Sequence, residues 1–245
     1  MPAWTQIYED MLSHLRELRD AGCPDPFFRG QSDSNWNLFP SAARYRIDSD
    51  VESRISASFQ SLGGHLFPSL KTSWDVLYLM QHHGVPTRLL DWTESFAVAL
   101  YFAVKNCRSE CVVWVMNPYE FNKRTTNSAS VLDLNTAFPS GYESYFIEDD
   151  SDKFGKFPAP AVSVYSSRLS SRMQWQRAVF TLHRDLQTPL ESLYPDTIRK
   201  FIISSDNLCD AKDFLILSGT NEYSIFPDLD GLARYLKDTE IDSSS

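Results

Sequence analysis

The sequence lacks the features that mark several protein classes. No stretch approaches the roughly 20 consecutive apolar residues of a transmembrane helix, and the N-terminal region is acidic where a secretory signal would be basic. The four cysteines form no C-x-x-C pair, and no histidine stands at zinc-ligand spacing from them. We therefore expect a cytoplasmic protein with reduced thiols, no membrane association and no metal site.

Positive charge is also scarce. The formal net charge is −9, whereas sequence-independent binding of nucleic acid needs many Lys and Arg side chains to neutralise phosphates. A local basic cleft stays open as an alternative, because arginines surround the motifs described below. They are Arg29, Arg44, Arg46, Arg88, Arg168, Arg172 and Arg177.

The length and apolar content predict one domain. With 245 residues, of which 42% are hydrophobic, the chain can bury one large core, and no linker divides it. We expect this single domain, with an N-terminal helix, to cover residues 1–240. The serine-rich residues 241–245 are expected to form a disordered tail.

Apolar periodicity predicts both helices and strands. Helical spacing occurs at residues 4–18, 51–62, 73–81 and 95–104, and again after Asp228, a suitable N-cap. Strand-like runs occur at 27–29, 88–90, 111–116, 162–165, 179–182 and 201–203. We expect an α/β (α+β) fold with a central mixed, mostly antiparallel sheet and flanking helices. Residues 119–160, rich in Asn, Ser, Asp, Gly and Pro, indicate a long ordered loop or two short elements.

Arg29 is the first candidate site residue. It follows two phenylalanines and precedes Gly30 and Gln31, so an always-charged planar group stands at a strand end where Gly30 permits a tight exit. This arrangement suits binding of a phosphate or a carboxylate. An equally good alternative is a surface arginine that pairs with Asp25 or Asp33.

The segment from Gln81 to Thr93 is the densest in functional groups. Within thirteen residues it carries two imidazoles, a guanidinium, a carboxylate, an indole and two hydroxyls. Each group has a structural alternative: a histidine can interact with a helix C-terminus, Asp91 can pair with Arg88, and Thr93 can cap the next helix. Their joint occurrence favours a site that contains His83, Arg88 and Asp91.

Metal-dependent and nucleophilic catalysis have little support. His82 and His83 lack the i, i+4 spacing that directs two imidazoles at one ion, and the chain has no G-x-S-x-G motif. In the second half, Gln176 stands at a strand entrance, and Glu222 precedes the last helix. Both have structural alternatives, as an edge residue and as part of the acidic approach to that helix.

The segments Phe28-Arg29-Gly30-Gln31 and Gln81 to Thr93 resemble the FRG domain family. Residues 99–103, Gln176, Phe180 and 226–231 match the look of the same family, so the resemblance extends over most of the chain. Members of this family are mostly uncharacterised, and the resemblance therefore implies a fold more than an activity.

A second resemblance, to ADP-ribosyltransferases that consume NAD, implies a mechanism. Phe28-Arg29-Gly30 is similar to their first strand, and residues 89–93 followed by 98–103 are similar to their second strand and helix. Their third element carries a catalytic Glu, but the comparable position here is Gln176, which supplies no negative charge. Either Asp91 or Glu222 takes that role, or the domain binds a nucleotide without turning it over.

The resemblance implies an ADP-ribosyltransferase or NAD glycohydrolase that uses NAD as a substrate and no metal. The catalytic residues it implies are Arg29, His83, Asp91, Gln176 and Glu222, and those that contact NAD are Arg29, Gly30, Gln31, Arg88, Trp92, Thr93 and Tyr101. It also implies a toxin, toxin–antitoxin or phage-defence setting, with a nucleic-acid or protein acceptor and an antitoxin or regulatory partner. The alternative is a non-catalytic module that recognises a nucleotide or nucleic acid and acts through protein partners.

Overall fold

The computed structural model describes residues 3–67, 72–142, 159–165 and 171–241. Its strands are β1 (Phe27–Gln31), β2 (Leu89–Thr93), β3 (Glu110–Met116), β4 (Ala161–Tyr165), β5 (Ala178–His183) and β6 (Ile198–Ser204). The helices of these ranges are α1 (Trp4–Asp20), α2 (Ser41–Arg44), α3 (Ser49–Gly63), α4 (Ser73–His82), α5 (Phe96–Val104), α6 (Pro118–Thr126), α7 (Leu134–Ala137), α8 (Ser171–Trp175), α9 (Leu190–Leu193), α10 (Leu208–Leu217), α11 (Glu222–Ile225) and α12 (Leu229–Glu240).

The six strands form one sheet in the order β4-β5-β2-β1-β3-β6, and each neighbouring pair is antiparallel. The α+β class with flanking helices is thereby confirmed. A parallel contact occurs at the isolated bridge between Leu132 and Val164. Across the described ranges, no helix is both long and apolar enough to span a membrane.

Local sequence signals predicted the ends of the long helices well. Thr72 and Asp75 form a capping box at the start of α4, and the Asp228 side chain accepts a hydrogen bond from the Gly231 amide at the start of α12. The predicted loop at 119–160 contains α6 and α7, while residues 143–158 lie outside the described residues, as do Arg168 and residues 242–245 of the predicted tail.

The core lies on both faces of the sheet. On one face, α5 packs with Phe28, Val113 and Val115 in one apolar cluster, and α4 packs with Leu89 and Phe180 in a second. On the other face, a third cluster contains Leu38, Phe121 and Leu190 together with strand residues such as Trp92 and Trp114. The sheet is therefore covered on both sides, so a ligand needs an interruption of this packing.

That interruption lies between the two central strands. β1 pairs with β3 at five positions and β2 pairs with β5 at five positions, but the register between β1 and β2 consists of Phe28 opposite Thr93. If the antiparallel ladder continued, Gly30 would stand opposite Asp91. Instead, the Arg29 Nη1 donates a hydrogen bond to the Asp91 carbonyl oxygen over 2.6 Å. The sheet is split at its centre, and a side chain bridges the split.

Gly30 fixes the distance between β1 and α5. A Cβ atom at this position would lie 1.8 Å from the carbonyl oxygen of Ala99 and 2.6 Å from the amide nitrogen of Ala103. Both neighbours are backbone atoms of α5, which cannot turn aside as a flexible side chain can. The sequence-based expectation of a tight exit at Gly30 is therefore wrong: Gly30 lies within β1, and its missing side chain allows the helix to pack directly on the strand.

We predict that Gly30→Ala lowers the free energy of unfolding by about 3 kcal/mol, because the added methyl group forces α5 away from β1. Gly64→Ala is the control, since a Cβ at Gly64 meets nothing within 4 Å and should change stability by less than about 1 kcal/mol. Urea unfolding followed by circular dichroism measures both. Equal stability of the two variants would show that α5 can yield at this contact.

Candidate functional site

A cavity of 620 Å³ occupies the split between β1 and β2. Its walls come from both strands, from α5, from the loop after β1, and from α2, α4 and the segment around α8. The lining residues are Phe28, Arg29, Gly30, Gln31, Ser32, Asn35, Trp36, Asn37, Phe39, Arg44, Gln81, Asp91, Trp92, Thr93, Val98, Ala99, Phe102, Arg172, Gln176 and Ala178. We call it the central cavity.

Arg29 is the most deeply placed charge of the central cavity. Its side chain is 18% exposed, and its Nε atom is buried without a hydrogen-bond partner. Burial lowers the pKa of Arg29, Asp91 opposes that shift, and Arg44 adds to it. A buried guanidinium with an unfilled donor costs free energy unless a ligand completes it. Arg29 is therefore suited to hold an anionic ligand.

Two further arginines line the same cavity. Arg44 is exposed and Arg172 half-buried, and within the described ranges neither forms a salt bridge with a carboxylate. The Arg172 guanidinium lies 4.6 Å from the centre of the Phe226 ring. Burial lowers the pKa of Arg172, against the attraction of Asp91 and Asp228. With Arg29, these side chains place three positive charges against the single carboxylate of Asp91.

A directional chain of hydrogen bonds holds Asp91. The Leu89 amide donates to the Thr87 Oγ1 over 3.1 Å, and the Thr87 hydroxyl donates to the Gln81 Oε1 over 2.5 Å. The Gln81 Nε2 then donates to the Asp91 Oδ2 over 2.8 Å. Because the Gln81 oxygen is occupied by Thr87, its amide group must point at the carboxylate. Asp91 is therefore fixed through one oxygen, while its other oxygen has no partner among the described residues.

Asp91 stands in a solvent-exposed part of the cavity wall. Its side chain is 60% exposed, so the neighbouring Leu89, Leu90 and Trp92 do not give it a low-dielectric environment. It does not cap α5 either, because the cap is the Ser95 side chain, which accepts from the Val98 amide. The carboxylate faces the central cavity and solvent together.

Seven of the predicted site residues line the central cavity: Arg29, Gly30, Gln31, Asp91, Trp92, Thr93 and Gln176. The Thr93 hydroxyl donates to the Gln176 carbonyl oxygen over 2.7 Å, and the Gln176 Nε2 donates to the Ile225 carbonyl oxygen over 3.2 Å. Gln31 accepts from the Trp114 indole over 2.7 Å. The cavity wall is thus tied to the sheet and to α11.

Trp92 forms part of the wall and is held rigidly. Its side chain is buried, and its indole nitrogen donates to the Thr181 Oγ1 over 3.2 Å, which in turn lies 2.9 Å from the His183 Nε2. Burial lowers the pKa of His183 to about 3, so the imidazole is neutral, and its Nε2 shares a hydrogen bond with the Thr181 hydroxyl. Trp92 can border a bound ring but cannot swing out to stack on one.

Arg88 corrects one expectation. Its Nε donates to the Glu52 Oε2 over 2.6 Å, both side chains are 8% exposed, and its Nη1 donates to the Arg184 carbonyl oxygen. Arg88 does not line the central cavity, so the prediction that it shares a cavity with Arg29 is wrong. The Arg88 side chain reaches Glu52 of α3 instead of the split.

His83 also lies elsewhere. It is the exposed C-cap residue of α4, and its ring centre lies 4.9 Å from that of His82. It is absent from the lining of the central cavity. The predicted shared cavity for His83 and Asp91 is therefore wrong, and Gln81, two residues earlier on α4, makes the contact expected of the histidine.

Tyr101 and Glu222 form a separate cluster between α5, α11 and α12. The 6%-exposed Glu222 carboxylate accepts hydrogen bonds from the Tyr101 hydroxyl, from the Lys105 Nζ at 2.6 Å and from the Arg234 Nε at 2.6 Å. Burial acts to raise the pKa of Glu222, but these donors outweigh it and the pKa is lowered. Neither residue lines the central cavity, so Asp91 is its carboxylate.

Sequence reasoning missed several cavity residues. Arg44 and Arg172 were recognised only as members of a basic set, and Gln81 only as the first residue of the dense segment. Trp36 gave no signal, and Phe102 appeared only within the helix of the two resemblances, because an aromatic residue in a loop or on an apolar helix is usually a packing residue. In the described ranges, no three His, Cys, Asp or Glu side chains converge as a metal site would require.

Comparison with family models identifies one match. Residues 25–111 match the model of the FRG domain. This segment of the chain is similar to the FRG domain. The matched span contains β1, β2 and α5, and hence Arg29, Gly30, Gln81 and Asp91, whereas Arg172 and Gln176 lie beyond it. No curated protein and no solved structure shows significant similarity to the chain. The extent of the FRG domain over residues 1–240 stays a prediction.

We predict that Arg88→Met lowers the free energy of unfolding by about 3–5 kcal/mol, because it leaves the Glu52 carboxylate buried without its cation. The double variant Arg88→Met, Glu52→Leu should recover part of this loss. Arg124→Met is the control: Arg124 pairs with Asp196 over 2.7 Å at the surface and should cost less than about 1 kcal/mol. Urea unfolding measures all three, and a loss at Arg88 no larger than at Arg124 would contradict a structural role.

Proposed function

We propose that the FRG domain binds NAD in the central cavity and cleaves its nicotinamide–ribose bond, acting as an ADP-ribosyltransferase or NAD glycohydrolase. The observation that carries the proposal is Arg29, a buried guanidinium whose Nε lacks a partner in a cavity with two further arginines. The pyrophosphate of NAD supplies two negative charges that such a group can bind with charge-assisted hydrogen bonds.

The size and walls of the cavity support the same ligand class. A volume of 620 Å³ falls within the roughly 300–1,000 Å³ of small-molecule sites. Trp36, Phe39 and Phe102 offer aromatic surface for a flat base, while Asn35 and Asn37 offer amide groups that can bind its edge. Arginines beside aromatic and amide groups suit a dinucleotide better than an apolar metabolite.

Asp91 is the group that we assign to the chemistry. As the bond between ribose C1′ and the pyridinium nitrogen breaks, the electron pair leaves with nicotinamide and positive charge develops on the ribose. A carboxylate favours that charge, whereas the neutral amide of Gln176 can only orient the ribose. Asp91 and Gln176 line the same cavity, so the charge missing at Gln176 is available from β2.

The biological setting extends the proposal. We infer from the resemblance to ADP-ribosyltransferases that the domain acts as a toxin or phage-defence effector in the cytoplasm. It would modify a nucleic acid or a protein, and an antitoxin or other regulatory protein would restrain it. The resemblance alone supports this part.

A second function has its own observation. The position of the expected catalytic Glu is Gln176, whose amide is engaged by the Ile225 carbonyl, and Asp91 is largely exposed. A domain with this arrangement could bind NAD or another nucleotide without turnover and act through a protein partner. Nicotinamide release separates the two functions.

We predict that Arg29→Met weakens NAD binding roughly ten- to a hundredfold, the size expected for lost hydrogen bonds to a charged group. Arg108→Met is the matched control, because Arg108 is exposed and lies outside the central cavity. Isothermal titration calorimetry with NAD measures both, and the melting temperature shows whether the variants fold. Unchanged affinity in folded Arg29→Met would remove the proposed site.

We predict that Asp91→Asn lowers nicotinamide release by roughly a hundredfold or more, because it removes one electrostatic group from the transition state. NAD affinity should change only a few-fold, and stability by about 1 kcal/mol at most, because Asn keeps the size and the hydrogen bond from Gln81 at an exposed position. Chromatographic assay of free nicotinamide gives the rate. Full activity of the variant would assign the chemistry to another residue, and no release by the parent protein, with NAD bound, would favour the recognition module.

A further inference from the structure

A second cavity adjoins the central cavity on the far side of Asp91. Its volume is 360 Å³, and its walls include Arg44, Tyr45, Gln81, Gly84 and Asp91. Arg44, Gln81 and Asp91 line both cavities, so the Asp91 carboxylate belongs to a wall that the two share. We call the second space the side cavity.

The side cavity presents an exposed aromatic ring and a cation in the same wall. Tyr45 is 71% exposed, directly follows the exposed Arg44 and precedes the exposed Arg46. Arg46 has a positive φ of 54°, a conformation that side chains other than Gly rarely adopt. Tyr45 and Arg44 line the same cavity, so the exposed tyrosine ring and a positive charge are both accessible to a ligand that enters it.

We propose that the side cavity is the acceptor site and that the acceptor is the end of a single-stranded nucleic acid; this rests on the proposed function of the central cavity. Single strands are bound by aromatic side chains that stack on a base and by cations that contact the phosphates. Within the side cavity, Tyr45 supplies the stacking surface and Arg44 supplies the cation. Arg46 follows Tyr45 as the next exposed residue of the chain.

The overall charge of −9 does not oppose this assignment locally. Exposed charges are largely screened beyond the Debye length, about 8 Å at physiological salt. The charges that a strand end meets are therefore the local ones, Arg44 and Asp91 in the cavity wall and Arg46 beside Tyr45 in the chain. A protein acceptor fits less well, because extended peptides need pairing edges or apolar pockets for alternate side chains, and the named walls are mainly polar.

The position of Asp91 in the shared wall makes it the proton acceptor of the transfer step. An acceptor hydroxyl in the side cavity attacks ribose C1′ in the central cavity, and its proton passes to the Asp91 carboxylate. The new bond joins the acceptor oxygen to C1′, the C1′–nitrogen bond breaks, and nicotinamide leaves as a neutral molecule with the electron pair. The exposed Asp91 then returns the proton to water.

Variants of Tyr45 test the acceptor site separately from NAD binding, because Tyr45 lines the side cavity and not the central one. The full chain is mixed with labelled single-stranded RNA or DNA oligomers, and binding is followed by fluorescence anisotropy without NAD. We expect Tyr45→Ala to weaken binding about tenfold, in line with the loss of one stacked base, and Tyr45→Phe to bind within about twofold of the parent. Tyr223→Ala, at another exposed tyrosine, should bind as the parent does.

Transfer and hydrolysis are then measured together with NAD labelled in its adenylate part. Tyr45→Ala should lose label transfer to the oligomer in proportion to its binding, while its release of nicotinamide into water stays unchanged. Three results would overturn the acceptor site and leave the proposed function standing. They are nicotinamide release by a parent protein that binds no oligomer, oligomer binding by Tyr45→Ala equal to that of the parent, and transfer of label to added protein but not to oligomers. No binding of NAD by the parent would instead refute the proposed function, and Tyr45-dependent oligomer binding would still be measurable.

Discussion

The hydrogen bond from the Arg29 guanidinium to the Asp91 carbonyl oxygen joins the two halves of the sheet where the backbone ladder between β1 and β2 has ended. Each half is well paired on its own, β1 with β3 and β6, and β2 with β5 and β4. The split leaves backbone and side-chain groups of both central strands facing one space. The cavity, the placement of Arg29 within it and the approach of Asp91 all follow from this one opening.

The opening needs support from elsewhere, and α5 provides much of it. Because Gly30 has no side chain, the α5 backbone lies against β1, and Thr93 at the end of β2 leads directly into the same helix. The Glu222 cluster then ties α5 to α11 and α12 through Tyr101, Lys105 and Arg234. Glu222, first considered for catalysis, thus stabilises the helix that holds the split in place. Three donors occupy its carboxylate, so the charge of Glu222 is not available to a ligand.

The sequence predicted the elements of the site better than the directions of its side chains. The strands predicted at 27–29 and 88–90 overlap β1 and β2, because short apolar runs are local signals, and the predicted N-cap Asp228 is local in the same way. Arg88 and Glu222 were misplaced because their partners are distant in the chain: Glu52 lies 36 residues from Arg88, and Tyr101 lies 121 residues from Glu222. Neither pairing leaves a periodic or local signal. The prediction that His83 shares a cavity with Asp91 was wrong for another reason. Neighbouring residues on a helix point in different directions, and the sequence alone did not show that Gln81 is the one that faces Asp91.

Gln81 also explains how one carboxylate can serve two cavities. A free Asp91 at 60% exposure would sample several rotamers and would favour whichever cation lay nearest. The chain from Leu89 through Thr87 to Gln81 has a fixed donor direction at each step, so it holds one carboxylate oxygen in the wall and leaves the other accessible. A neutral amide does this without adding a charge to that of Arg29, whose Nη1 already lies 4.0 Å from the same Asp91 oxygen, whereas an arginine or lysine in place of Gln81 would weaken the attraction of the carboxylate for a developing cation further. The hydrogen-bond chain therefore preserves the charge of Asp91 while fixing its position, which is what a group between a donor cavity and an acceptor cavity requires.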